Sequence, residues 1–149
     1  MKHIRAIDIS ANMLAIARNK AKQQNIGNID FEQSSLDDLN VSDQSVDMVL
    51  AMSILHLIEN KELMLERIHQ MLKPDGVFVS STVCIKGSLW SLCWPLLKVG
   101  RWFGFMPLVK FFSSKQLDKA IAEAGFDIEY RWQPDKGMAV LFIVAKKQS

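Results

Sequence analysis

Val46-Asp47-Met48-Val49-Leu50-Ala51-Met52 is an almost uninterrupted apolar run. A run of that length without polar alternation has the pattern of an interior parallel strand covered on both faces. Its flanks decide the fold class. Downstream, Asn60 offers an N-cap to a helix whose apolar residues Met64, Ile68, Met71 and Leu72 share one face. Lys73-Pro74-Asp75-Gly76 stops that helix, and residues 77–83 read as the next strand. Upstream, residues 36–39 and 42–45 read as turn and loop, and residues 29–33 alternate as a half-buried edge strand does. Ile4-Arg5-Ala6-Ile7-Asp8 is a shorter apolar run that meets charge at its end. Between these two strands, Ser10 offers an N-cap, Met13, Leu14, Ala17 and Ala21 recur at helical spacing, and Gly27 suits the stop.

Toward the C-terminus, Ser113-Ser114-Lys115-Gln116 is a capping-box signature, followed by the apolar stripe Leu117, Ala120, Ile121 and Ala124 and by Gly125. Two strands, at about 126–132 and 138–145, are joined only by Gln133-Pro134-Asp135-Lys136-Gly137. A parallel crossover needs roughly a dozen residues, so these strands form an antiparallel hairpin if they are neighbours. The order is β-α-β-turn-β-α-β-insert-α-β-β. That is an α/β chain with a mainly parallel sheet and one reversed strand at the end. The reversed strand argues against a nicotinamide oxidoreductase, whose doubly wound sheet is wholly parallel.

The chain has 149 residues, 49% hydrophobic and 23% charged. It suits one domain with a real core and excludes a disordered tail. Cys84 and Cys93 are its only cysteines and read as reduced thiols; no second pair completes a zinc site, so no metal is expected. Charge from the first residues onward leaves no room for a secretion leader, which points to the cytoplasm. A net charge of +2 gives no footprint for nucleic acid.

That charge is unevenly spread. Between Gly76 and Leu117 there is no acid but five bases, Lys86, Lys98, Arg101, Lys110 and Lys115, which leaves the rest of the chain at a net of −3. Trp90, Trp94 and Trp102 share the segment. Its longest uncharged run, 11 residues from Gly87 to Leu97, falls short of the ~20 that span a bilayer. An insert over about 84–112 is therefore a lid over an apolar substrate, a membrane-surface element working through 86–112, or extra core.

In an open parallel sheet, ligands bind beyond the carboxyl ends of the strands. Asp8 ends the first strand before a helix N-terminus, where a carboxylate can accept both hydroxyls of a ribose; it could equally serve, like Ser10, as a cap. His56 follows the strand 46–52 and is a candidate base or a packed ring. His3 and His69 read as surface residues, and Asp47 as structural.

Ile7-Asp8-Ile9-Ser10-Ala11-Asn12-Met13-Leu14 resembles the "D-x-S-x-x-M-L" segment of class I S-adenosylmethionine-dependent methyltransferases. Three further segments match in order: residues 33–39 (Gln-Ser-Ser-Leu-Asp-Asp-Leu), 45–56 (Ser-Val-Asp through Ile54-Leu55-His56), and 67–76 ending Leu-Lys-Pro-Asp-Gly. The likeness is closest to the small-molecule branch typified by ubiquinone and menaquinone biosynthesis. It implies a Rossmann-like methyltransferase sheet with S-adenosyl-L-methionine as cofactor. By the same resemblance, Asp8 holds the ribose hydroxyls and Ile9 lies against the adenine face. Ser35 stands where the family usually has an acid for the adenine amino group, and Leu36 offers its N–H to the adenine edge. Ala51 and Met52 border the methionine part. Independently of the resemblance, His56, the one histidine placed near the site, is the candidate catalytic residue.

The resemblance lacks the family's first strand, glycine-rich loop and following helix, for none of the seven glycines precedes Gly27. The expectation is a single, N-terminally incomplete methyltransferase domain over 1–149, prone to self-association at unpaired edges. Its expected activity is methyl transfer to a small, hydrophobic, quinone-like or lipid-like acceptor. The alternative is a non-catalytic remnant acting as a binding module or membrane-surface protein.

Overall fold

The computed structural model describes residues 3–58, 60–83, 113–134 and 140–148. The insert at 84–112, with its tryptophans, bases and both cysteines, lies outside the described residues. The chain forms two compact units that divide after Val41.

The first unit is β1 (Ile4–Asp8), α1 (Ala11–Gln23) and β2 (Ile29–Gln33). β1 and β2 pair in parallel from Ile4 with Ile29 to Asp8 with Gln33, so their carboxyl ends are level. Ser10 caps α1 in extended backbone, its side chain accepting from the Met13 N–H at 3.4 Å. The helix buries Leu14 and Ala21. Arg18 secures it to β2, donating to the Phe31 carbonyl at 2.9 Å with its guanidinium 5.8 Å from the Phe31 ring centre. Across the ladder, Arg5 pairs with Glu32 at 2.6 Å. The helix stops before Gly27. Asn25 takes the left-handed turn at φ 53, which its short polar side chain tolerates, and Gly27 lies in open space.

The second unit holds β3 (Val46–Met52), a 3-10 turn (Leu55–Leu57), α2 (Lys61–Met71), β4 (Leu72–Val83), α3 (Ser114–Glu123), β5 (Phe126–Trp132) and β6 (Val140–Lys147). The sheet order is β3-β4-β6-β5, with β3 parallel to β4 and β6 antiparallel to both neighbours. The terminal hairpin is thus present, and β6 is the one reversed strand of this sheet.

β3 does not have the interior place its apolarity suggested. Among the described residues β4 is its one ladder partner, and Met48, Leu50 and Met52, alternating along one face, are 37%, 50% and 56% exposed. An apolar run records the need for cover and does not name the neighbour that gives it.

The opposite face of the sheet carries the core. Ala51, Phe78, Ser80, Thr82, Leu141, Ile143 and Ala145 are all buried and share that face by alternation and register. α2 packs on β4 and α3 on β5, and the helices touch each other. They contribute Leu65, Ile68, Leu117 and Ile121, none of which is exposed.

β4 begins five residues earlier than its sequence suggests. Leu72 already pairs with Val46, and residues 73–76 form an irregularity before Val77 resumes beside Met48. Asp75 takes φ 62 there, and a Cβ on Gly76 would meet the Lys73 carbonyl at 2.8 Å. α2 therefore runs into β4 without a loop. Its end is capped by Lys147, whose Nζ donates to the carbonyls of His69 at 2.7 Å and Leu72 at 2.8 Å.

α3 opens with the expected capping box: Ser113 accepts from the Gln116 N–H, and the Gln116 side chain accepts from the Ser113 N–H. Gly125 follows it at φ +86, where a Cβ would lie 2.9 Å from His69 Nε2. Both the left-handed backbone and that ring oppose a side chain. Gly125→Ala is expected to destabilise the protein by about 1–3 kcal/mol in urea unfolding; an unchanged midpoint would show that the turn can relax.

Candidate active site

The first unit gathers four of the predicted positions at one end of its two strands. Asp8 closes β1, and its Oδ1 accepts the Ser10 N–H at 2.8 Å. Among the described residues its Oδ2 has no partner. Ser10 does the capping of α1, so Asp8 orders the turn and still has one carboxylate oxygen to offer. Ile9 is 75% exposed beside it. Gln33, level with Asp8, donates from Nε2 to the Ile9 carbonyl at 3.1 Å and ties the two strand ends together.

Past β2, the chain turns at Ser35 and Leu36. The Leu36 carbonyl accepts from Leu39 at 3.3 Å, and its N–H is unpaired among the described residues. The Ser35 hydroxyl is committed to a neighbour, donating to Asp38 Oδ2 at 2.7 Å and accepting the Asp38 N–H at 3.1 Å. Asp38 therefore places a carboxylate beside the position where the sequence offered only a hydroxyl. Reading position by position missed it. The signal available was the Asp37-Asp38 pair just downstream.

Donation to a carboxylate polarises the Ser35 hydroxyl and leaves one of its lone pairs available to a ligand amine. A carboxylate oxygen, a free backbone N–H and an exposed apolar side chain at level strand ends form a set that suits a ribose carrying a flat base. The residues of this unit fit the nucleoside part of S-adenosylmethionine.

The second unit holds Ala51, Met52 and His56 at the carboxyl end of β3. Ala51 is buried in the ladder beside Ser80, whereas Met52 is exposed. Ser53 follows at φ 55, an unusual conformation for a residue with a side chain, and donates its N–H to the Ser81 carbonyl at 2.7 Å. This holds the chain to β4 as it leaves the sheet. His56 sits in the 3-10 turn, half-buried, with Nδ1 shut from solvent and, among the described residues, unpartnered. Burial lowers its pKa below the ordinary histidine value, so the ring is neutral near pH 7.

The other titratable candidates have structural settings. Lys73 bonds to Asp47 at 2.7 Å and lowers its carboxyl pKa, and His3 pairs with Asp30 at 3.1 Å. His69 is not the surface residue its position suggested. It is half-buried and meets Phe126 edge-on at a ring distance of 5.3 Å. Burial first, and then the Lys147 charge, lower its pKa, against a hydrogen bond to the Gly125 backbone that raises it.

Both depressed histidines link stability to pH. Below about pH 6.5 the unfolded chain takes up protons that the folded chain resists. Stability is therefore complete above that pH and falls with acidification until the lowered folded values are passed. The melting temperature should be flat from pH 7 to 8 and decline below 6.5, with His69→Gln shallowing the decline. An unchanged slope in that variant would remove His69 from the linkage.

The family described as "Methyltransferase domain" matches residues 1–125. A ubiquinone biosynthesis O-methyltransferase of Azorhizobium caulinodans is 23% identical over 131 residues, covering 82% of this chain and 49% of that protein. The match spans about half of that protein's length and smaller shares, 21% and 29%, of two other curated methyltransferases. Among solved structures, an S-adenosylmethionine dependent methyltransferase from Mesorhizobium loti superposes with a TM-score of 0.74 at 20% identity, covering 98% of this chain and 81% of that one. A methyltransferase of Haloferax volcanii, solved in complex with its Trm112 activator, gives a TM-score of 0.79 at 18% identity, covering 100% and 73%. The fold, the level strand ends with their nucleoside-type donors and acceptors, and the match over residues 1–125 agree: the chain belongs to the class I S-adenosylmethionine-dependent methyltransferases.

Proposed function

We propose that this chain binds S-adenosyl-L-methionine and takes part in methyl transfer from it to a small, hydrophobic acceptor. The observation that carries the cofactor half is the end of β1 and β2, where Asp8 keeps a free carboxylate oxygen beside the exposed Ile9 and the unpaired Leu36 N–H. Asp8 holds the ribose hydroxyls, Ile9 covers one face of the adenine, and Leu36 and Ser35 take its polar edge. Ala51 and Met52 border the methionine part. When bound, the cofactor supplies a methyl group on a positively charged sulfur, which keeps the electron pair of the broken bond and becomes a neutral thioether. The protein's main contribution to such a displacement is alignment. If the acceptor is a hydroxyl, His56 takes its proton as the new bond forms.

The apolar acceptor is supported by the residues around His56. Met52, Ile54 and Leu57 are 56%, 39% and 43% exposed, an unusual density of large apolar side chains in so short a stretch. A quinone-like or lipid-like molecule would cover them. The cytoplasmic setting and a peripheral membrane contact through 86–112 belong to this proposal. No described helix is long and apolar enough to cross a membrane.

A second reading, a binding module without turnover, draws on the topology: among the described residues β1 and β3 are each paired along one edge only. Such edges invite another strand, including one from a second copy.

Calorimetry with S-adenosylhomocysteine tests the cofactor reading. Asp8→Ala should weaken binding about 10- to 150-fold, the worth of a charge-assisted hydrogen bond of roughly 1.5–3 kcal/mol, while the melting temperature moves little. A lowered melting temperature with unchanged affinity would reduce Asp8 to a turn former.

A further inference from the structure

Among the described residues, His56 Nδ1, Ser80 Oγ and Thr82 Oγ1 are buried polar atoms without a hydrogen-bond partner. Ser80 and Thr82 are wholly buried. Two residues apart on β4, they project to the same face, among Ala51, Leu141 and Ile143. The 3-10 turn bearing His56 packs on that strand. The bond from Ser53 N–H to the Ser81 carbonyl anchors the start of the turn at the residue between the two hydroxyls. Leu55, the neighbour of His56, is fully buried. All three unpaired atoms therefore belong to one end of one sheet.

Buried polar groups in folded proteins are almost always paired, and an isolated pair of unpaired hydroxyls in an apolar core is costly. A buried water typically makes about three hydrogen bonds to such groups. We propose that His56 Nδ1, Ser80 Oγ and Thr82 Oγ1 share one buried water, making Ser80 and Thr82 positioning residues for the His56 ring. The water accepts from Nδ1–H and from one hydroxyl, and donates to the other. Nδ1 then carries the proton of the neutral imidazole, and Nε2 keeps its lone pair for an incoming acceptor. The catalytic consequence rests on the proposed role of His56 as base; the water site does not.

The test uses the whole protein with nitrogen-15 histidine. His56 is expected to show the Nδ1–H tautomer near pH 7. Thr82→Val should shift it toward the other tautomer, lower the melting temperature, and cut kcat for methyl transfer roughly tenfold at nearly constant KM. Thr82→Ser should restore all three. Ser80→Ala gives the same reading through the second hydroxyl if Thr82→Val folds poorly. A raised melting temperature with unmoved His56 resonances overturns the proposal, because replacing an unsatisfied hydroxyl by an isosteric methyl group stabilises a dry core. A tautomer shift without loss of turnover supports the water site and removes His56 from the chemistry.

Discussion

Phe78→Ala is expected to lower the unfolding free energy by about 3–5 kcal/mol. Phe78 has no exposed surface and lies mid-strand in β4, opposite Val49 on one side and Ala145 on the other. Its ring leans on Phe126 at 5.4 Å and 39°, and Phe126 in turn meets His69 in a T-shaped contact. Truncation removes the transfer energy of a ring, leaves a cavity on the core face of the sheet, and ends an aromatic contact worth about 0.5–1.5 kcal/mol. Against a net stability of roughly 5–15 kcal/mol, that is a large share. Urea unfolding measures it, with Phe78→Leu as a milder companion. A loss below about 1 kcal/mol for alanine would mean that this face of the sheet is loosely packed.

The second large effect belongs to His56. On the proposed reading, His56→Asn lowers kcat for a hydroxyl acceptor by about 10²–10⁴, the usual worth of a positioned general base. Asparagine keeps a polar group of similar size at the turn, so the fold and the KM for cofactor should change little. The ring is suited to the task because burial favours its neutral form. The wild-type rate should therefore hold down to mildly acidic pH and fall as the ring protonates. Unchanged turnover in His56→Asn would leave the methyl transfer to alignment alone.

Much of this arrangement is legible in the sequence where one residue type has one local task. Ser10, Asn60 and Ser113 each cap the helix that follows, because a short oxygen-bearing side chain just before a helix can accept from a free N–H of its first turn. The terminal hairpin follows from the shortness of its connection. Relations between distant segments are less legible. The run at 46–52 states its apolarity without stating that, among the described residues, it has a ladder partner on one edge only. The helix ends at Gln23, ahead of Gly27, and Asn25 takes the left-handed turn. His69 looks like a surface residue until β5 and Gly125 close on it from some 56 positions downstream. Asp38 was invisible for a similar reason: its carboxylate enters the site through a hydrogen bond to Ser35, not through its own place in a pattern.

The sheet order carries a consequence for biosynthesis. β6 is the latest of the described strands to be made, yet it lies between β4 and β5 and supplies the lysine that closes α2. Until residues 140–147 leave the ribosome, β5 lacks its one ladder partner among the described residues, and β4 keeps an edge of unpaired backbone groups beside the polypeptide exit. The second unit therefore completes late, at the end of translation of this stretch, and its nascent form is the state most exposed to chaperones and proteases.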